Sequence, residues 1–209
     1  MSERGKLITL EGVDGAGKSS HIRFIADALG SASSAGKGRH VIVTREPGGT
    51  DLAERLRKAI LEEPVDPIAE TLLLFAARAD HVHRVILPAL SAGSWIVCDR
   101  FADATAAYQG AGKGVPMELI ERLATAVHPG LRPDRTLLFD CSYEISRKRL
   151  EASGKSLDRF EREDRAFFER VRAAYLARAK AEPARIRVID ASADQAAIRK
   201  DLGRNLVFK

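Results

Sequence analysis

The chain has 209 residues, 45% of them apolar and 30% charged, which suits one globular domain with a sizeable core and excludes a disordered or fibrous protein. No window approaches 18 consecutive apolar residues and the first five residues carry no apolar leader, so no membrane span or signal peptide is expected and the chain reads as cytoplasmic. The net charge of +5 comes from 34 Lys and Arg interspersed with 29 Asp and Glu, so small anionic molecules explain the excess as well as nucleic acid would.

The first predicted element is a short apolar strand, Lys6 to Glu11. It runs into Gly12-Val13-Asp14-Gly15-Ala16-Gly17-Lys18-Ser19, which matches the phosphate-cradling pattern G-x-x-x-x-G-K-[ST] at every fixed position. From Ser20 to Leu29, apolar residues at 22, 25, 26 and 29 give a helical spacing. Strand, glycine loop and helix form the setting a P-loop requires. Glycine lets the backbone turn through positive φ so that successive N–H groups face a polyphosphate. Lys18 would supply positive charge to the β and γ phosphates, and the Ser19 hydroxyl a ligand for Mg2+.

Residues 30 to 38 form a low-complexity Gly and Ser stretch read as a surface loop with no chemistry. His40 to Thr44 is a short strand. It leads into Arg45-Glu46-Pro47-Gly48-Gly49-Thr50, where Pro and Gly break the chain and Thr50 can cap the next helix. Arg45 is left at the carboxyl end of a strand, where open parallel sheets bind ligands. Pro67 to Leu90 reads as a long helix bent near Pro88, with Leu72, Phe75, Ala76, Ala79 and Val82 on its apolar face and Phe75 and Arg78 as neighbours.

Trp95 to Asp99 is a strand ending in an acid, with Arg100 directly after it. Phe101 to Tyr108 reads as a helix closed by a second mobile glycine run, 109 to 114. Further helices are expected over Pro116 to Val127, Ser142 to Ala152, a stretch ending near Ala181, and Ala193 to about Leu202; further strands over Thr136 to Phe139 and Ile186 to Ile189. Strands alternating with helices predict a three-layer α/β fold around a five-stranded parallel sheet in one domain. Cys98 and Cys141 lack paired spacing and read as reduced, buried thiols.

Asp14 is an odd member of a phosphate loop, because a carboxylate beside a polyanion is unfavourable unless a metal or a substrate hydroxyl lies between them. It is a candidate for a sugar hydroxyl of a second substrate, or for Mg2+. Asp99 is placed to hold the hydrated Mg2+ opposite Ser19, and Arg100 to grip phosphate oxygens and stabilise transition-state charge. The basic run 147 to 162, hinged at Gly154, suits a lid over nucleotide phosphates, with Arg149 and Arg159 its leading cations. His81 and His83 do not share a helix face, which argues against a metal site.

Taken together, Gly12 to Ser20, Thr44 to Thr50, Phe75 to His81, Asp99-Arg100-Phe101, Tyr108-Gln109-Gly110 and Asp158-Arg159-Phe160-Glu161 resemble bacterial thymidylate kinases in order and spacing over nearly the whole chain. The resemblance implies transfer of the ATP γ-phosphoryl group to dTMP with Mg2+, on a homodimeric scaffold, with Gly12 to Ser20 holding ATP. It also implies that Asp14 contacts the deoxyribose 3′-hydroxyl, that Arg45 and Arg100 bind the acceptor phosphate, and that Asp99 assists the metal. Phe75 and Arg78 match the pair that stacks on thymine and bonds its O4. Thr105 matches a thymine contact, Tyr108 the ring that crowds the sugar 2′ position, and Gln109 falls within the same acceptor-site motif. Many relatives carry the aromatic four residues before the arginine, where this chain has Leu74. Glu151 and Ser153 stand where lid arginines often occur, which leaves Arg149, Lys155 and Arg159.

Phosphoryl transfer needs alignment and charge stabilisation and no nucleophilic side chain. Competing readings are a P-loop kinase for dUMP, UMP, dCMP or a nucleoside, and a non-catalytic nucleic-acid-binding protein. A GTPase would carry an Asn-Lys-x-Asp run and a transporter ATPase a Leu-Ser-Gly-Gly-Gln signature; the chain has neither.

Overall fold

The computed structural model describes residues 4–31, 39–154 and 156–208. Most of the expected 30 to 38 loop, and Lys155, lie outside the described residues. Five parallel strands stand in the order β2-β3-β1-β4-β5: β1 (Leu7–Glu11), β2 (Val41–Arg45), β3 (Trp95–Asp99), β4 (Arg135–Asp140) and β5 (Ile186–Asp190). β1 lies at the centre, with Thr9 opposite Cys98 on one side and Thr136 on the other. All five of its residues are buried, as a central parallel strand covered on both faces requires.

The crossovers are α1 (Ile22–Ser31), α2 (Asp51–Glu62), α3 (Pro67–His81), α4 (Leu87–Ser91), α5 (Ala102–Thr105), α6 (Met117–Val127), α7 (Tyr143–Ala152), α8 (Arg165–Ala181) and α9 (Gln195–Asn205). Their starts follow from local chemistry. Thr50, Asp66, Ser142, Asp164 and Asp194 each accept a backbone N–H of the first turn, and each such cap contributes about 1 kcal/mol. One apolar cluster joins Ile8, Leu10, Val97 and Phe139 to α1, α8 and α9; a second joins Leu7, Ile96 and Phe101 to the segment 82–90.

Three expectations are corrected. The helix from Pro67 does not bend at Pro88 alone: it widens into a π-helical turn over Val82–Ile86 and continues as α4. Its apolar stripe is rotated from the one expected. Leu74, Phe75, Ala77, Arg78, His81 and Val82 face inward, whereas Leu72 is 48% exposed and Ala76 is exposed. The polar network around Arg78 and His81, described below, turns that face to the core. The glycine run after Tyr108 is also helical, because α5 widens into a π-helical segment over Ala106–Gly112. A Cβ at Gly110 would come within 2.7 Å of Met117 Sδ, and one at Gly112 within 2.7 Å of the Phe167 ring. These glycines permit close packing rather than motion. Cys98 and Cys141 are buried free thiols.

Candidate active site

The loop from Gly12 to Ser19 leaves β1 at its carboxyl end, with Gly12, Gly15 and Gly17 all at positive φ. A Cβ on Gly12 would approach the Phe139 carbonyl oxygen to 2.3 Å, and one on Gly15 the Ser146 carbonyl oxygen to 2.6 Å. The bend is therefore seated against β4 and α7. Lys18 is buried, and its Nζ donates to the carbonyls of Gly12 and Val13 at 3.0 Å each. An ammonium has three donors, so one N–H remains to face the loop's ligand. Burial, and Arg100 after it, hold the Lys18 pKa below the usual ammonium value.

Arg100 follows β3 and is the sole non-glycine residue at positive φ among the described residues, with φ 69°. Such a conformation costs about 1–3 kcal/mol and persists only where neighbours enforce it. Here the buried Glu11 carboxylate accepts the Phe101 N–H at 2.7 Å and the Arg100 N–H bonds the Leu10 carbonyl at 2.9 Å. Glu11 also accepts from the Tyr175 hydroxyl at 2.7 Å. Burial, with the nearby Asp103 charge adding to it, pushes the Glu11 pKa up to about 8. The turn sends the Arg100 guanidinium back over the P-loop, where it bonds the Gly12 carbonyl at 3.0 Å, Asp14 Oδ1 at 2.5 Å and the Tyr108 hydroxyl at 3.0 Å. Tyr108 in turn donates to Asp14 Oδ2 at 2.7 Å. Burial raises the Asp14 carboxyl, but the Arg100 and Lys18 charges outweigh it and leave the pKa below the ordinary value. Asp14, Lys18, Arg100 and Tyr108 thus form one cluster at the strand tips.

A cleft opens beside this cluster, lined by Asp14, Arg100, Leu74, Arg78, Thr105 and Gln109 among others. An apolar wall with a few converging polar groups is the usual make-up of a small-ligand site. Arg78 donates to Thr105 Oγ1 at 3.0 Å, and Gln109 Nε2 to the buried Glu70 at 2.7 Å. Asp99 ends β3 with Oδ1 buried and, among the described residues, lacking a hydrogen-bond partner, and Ser19 is exposed at the end of the loop. Together they fit a magnesium ion carried by phosphates and water: Ser19 and Asp99 would hold it, and it would supply Lewis-acid neutralisation of phosphate charge.

Not every expected site residue reaches the cleft. Phe75 lies outside its lining; it packs with Val115 and Ile120 and stacks on His128 with ring centroids 6.4 Å apart. Leu74, one residue and about 100° earlier on the helix, faces the cleft instead. Arg45 is half-exposed and pairs with Glu54 at 2.8 Å on the rim. Arg149 does lie beside the P-loop, bonding the carbonyls of Ala16 at 3.3 Å and Ala191 at 2.8 Å. Arg159 does not. It pairs with Glu70 and donates to the Ile60 carbonyl, drawn there because the fully buried Glu70 carboxylate requires cations, Lys113 among them. Sequence reasoning missed Glu11, Glu46, Arg57, Glu70 and Tyr175. Arg57 lines the cleft and donates to the Pro47 carbonyl at 3.0 Å.

Comparison with known proteins gives the family. The family model described as thymidylate kinase matches residues 10–202. The chain belongs to the thymidylate kinase family. The thymidylate kinase of Bordetella petrii is 53% identical over 206 residues, covering 99% of this chain and 97% of the relative. That of Methylobacillus flagellatus is 53% identical over 199 residues, covering 95% of each. A crystal structure of thymidylate kinase from Ehrlichia chaffeensis superposes with a TM-score of 0.76 at 30% identity, covering 96% of this chain and 97% of the other. As a member of the family the chain is an ATP- and Mg2+-dependent kinase that phosphorylates dTMP to dTDP. Among the described residues no helix is long and apolar enough to cross a membrane.

Proposed function

We propose that this chain transfers the ATP γ-phosphoryl group to dTMP through a division of labour between the P-loop and the strand-tip cluster. The observation that carries the proposal is the Asp14, Arg100 and Tyr108 cluster, which joins the phosphate loop to the cleft in one hydrogen-bonded unit. Backbone amides from Gly12 to Ser20 and the free donor of Lys18 hold the donor phosphates. Arg149, beside Ala16 and Ala191, covers the nucleotide side of the loop. Arg100 takes the acceptor phosphate, and Asp14 accepts the sugar 3′-hydroxyl. The attacking atom is itself a phosphate oxygen, so no general base is required. The protein's task is to align two anions and spread the developing charge over Lys18 and Arg100.

In the cleft, Leu74 covers one face of the thymine ring, and Arg78 donates to its O4. Thr105 and Gln109 border the ring, while Tyr108 crowds the sugar 2′ position. Arg57, on the cleft wall, joins Arg100 in balancing the acceptor phosphate, while Arg45 acts from the rim. The chain works as a homodimer through the exposed apolar face of α3. Ile68 and Leu72, four residues apart and each 48% exposed, support this reading. Replacing Leu72 with Glu converts a dimer to a monomer in light-scattering chromatography; an unchanged mass would remove that face from consideration.

Measuring ADP release with dTMP, dUMP, UMP, dCMP and thymidine tests the assignment. dTMP gives the highest kcat/KM, and a preference for any other acceptor would overturn the base-site reading.

A further inference from the structure

An arginine has five N–H donors in a fixed plane, and a buried one reveals its purpose by which of them find acceptors. Arg78 is 3% exposed. Its Nε donates to Glu46 Oε2 at 2.6 Å, and its Nη2 to the Phe101 carbonyl at 3.2 Å and Thr105 Oγ1 at 3.0 Å. Its Nη1 is buried and meets no acceptor among the described residues. The guanidinium carbon lies 4.9 Å from the Phe75 ring centre and 5.2 Å from that of Phe101. Phe75 therefore acts behind the base reader rather than on the base. Arg78 lines the cleft, and the one unsatisfied edge of its fork is the edge left for a ligand.

The anchored edge belongs to a chain of side chains that no catalytic step uses. The second oxygen of Glu46 bonds His81 Nδ1 at 2.9 Å, and His81 Nε2 lies 2.7 Å from Thr44 Oγ1. Glu46 is 4% exposed and His81 fully buried. An ionised carboxylate can only accept, so His81 Nδ1 donates to it; in the neutral ring Nε2 then accepts from the Thr44 hydroxyl. The donors converge on Glu46, Thr44 acting through His81 from one side and Arg78 from the other. Gly49, at φ 85°, closes over the relay: a Cβ there would stand 2.6 Å from the His81 ring and from Thr44 Oγ1.

We propose that Thr44, His81 and Glu46 are positioning residues that fix which edge of Arg78 faces the acceptor base, and so set the preference for pyrimidines bearing a C4 carbonyl over those bearing a C4 amino group. A carbonyl oxygen accepts from the open Nη1 donors. An amino group opposes donor to donor and leaves both unpaired, a mismatch that costs far more than a lost methyl contact. This penalty is enforced only while the guanidinium cannot turn away. Arg78 at Nε and His81 at Nδ1 each hold one oxygen of Glu46, which is what prevents it. The inference rests on Arg78 as the base-reading residue.

The test is titration calorimetry of the full chain with dTMP and with dCMP, together with steady-state kinetics, on Glu46→Gln, His81→Leu, His81→Asn and Arg78→Met. Glu46→Gln and His81→Leu weaken dTMP binding by about tenfold, the size of one buried hydrogen bond lost. The ratio of dCMP to dTMP dissociation constants narrows accordingly, while KM for ATP stays within twofold. His81→Asn, whose amide N–H stands where Nδ1–H stood, recovers most of the loss. Equal weakening toward both nucleotides, or His81→Asn no better than His81→Leu, reduces the relay to fold support and overturns the proposal. Should His81→Leu not fold, Glu46→Gln preserves shape and volume and carries the same comparison. Arg78→Met separates the two layers. If it leaves dTMP affinity unchanged, the base-reading assignment falls and the relay with it; if it weakens dTMP while Glu46→Gln does not, only the relay falls.

Discussion

Replacing Tyr108 with Phe removes one oxygen atom from the active-site cluster and leaves the ring in place. The lost hydroxyl donates to Asp14 Oδ2 at 2.7 Å and accepts from Arg100 Nη2 at 3.0 Å. Burial raises the phenol pKa well above its usual value, so the group is a protonated donor at any working pH. A hydrogen bond to a charged partner is worth about 1.5–3 kcal/mol. Asp14 keeps its Arg100 contact and Arg100 keeps the Gly12 carbonyl, so neither charge is orphaned and the lower half of that range applies. At 1.4 kcal/mol per factor of ten, kcat/KM for dTMP falls by about ten- to thirtyfold, with KM for ATP unchanged. A coupled ADP-release assay with dTMP varied at saturating ATP reads the effect. Tyr108→Ala is the companion variant: it removes the ring as well, so it alone admits a 2′-hydroxyl and raises activity toward ribonucleotide acceptors relative to dTMP. A Phe variant within twofold of wild type would refute the claim that the hydroxyl holds Asp14 and Arg100 in line.

Lys18→Ala or Arg100→Ala lowers kcat at least about a hundredfold, as loss of one transition-state donor commonly does; wild-type turnover in either purified variant removes its assigned role. Asp103, 2% exposed, accepts from Arg178 Nε at 2.7 Å and from Arg185 Nη1 at 2.7 Å. Asp103→Ala leaves both cations to Glu182, 2.8 Å from Arg185 Nε, and destabilises by about 1.5–3 kcal/mol through the charged hydrogen bonds lost. Calorimetry should show Tm lower by roughly 3–12 °C. Burial raises the Asp103 pKa, but Arg185 and Arg178 outweigh it and hold it below the ordinary 3.8. Its contribution is therefore present above pH 3.8 and lost as pH falls through the folded value, and Asp103→Asn flattens that acid limb of the stability curve. EDTA abolishes turnover and added Mg2+ restores it; activity persisting in chelator would dissociate Asp99 and Ser19 from metal holding.

The P-loop, the five strands and their parallel arrangement were legible because each rests on short-range patterns: glycines where positive φ is required, apolar and β-branched runs, and Ser, Thr or Asp before five of the helices. Asp14, Lys18 and Arg100 could be placed from the tips of their strands alone. What escaped depends on contacts distant in sequence. Glu70 gathers Gln109, Lys113 and Arg159 from 39 to 89 residues away, and nothing local marks it as the partner that draws Arg159 off the nucleotide side. Leu74 and Phe75 differ by one helical step, and the side facing the cleft is decided by Glu46, from another element, gripping Arg78. The widened turn at Ala106–Gly112 was missed because glycine signals a loop from sequence, and only Met117 and Phe167 show that it serves packing.

The pairing of Asp14 with Arg100 bears on how the enzyme tolerates a cell crowded with inorganic phosphate and other simple anions. A carboxylate and a guanidinium 2.5 Å apart already satisfy one another. An ion bringing only negative charge must prise them open and leave the carboxylate with the Tyr108 hydroxyl alone. A molecule that offers a hydroxyl to one partner and a phosphate to the other replaces both halves of the bond at once, so the pair behaves as a two-key lock that rejects partial matches before any base is read.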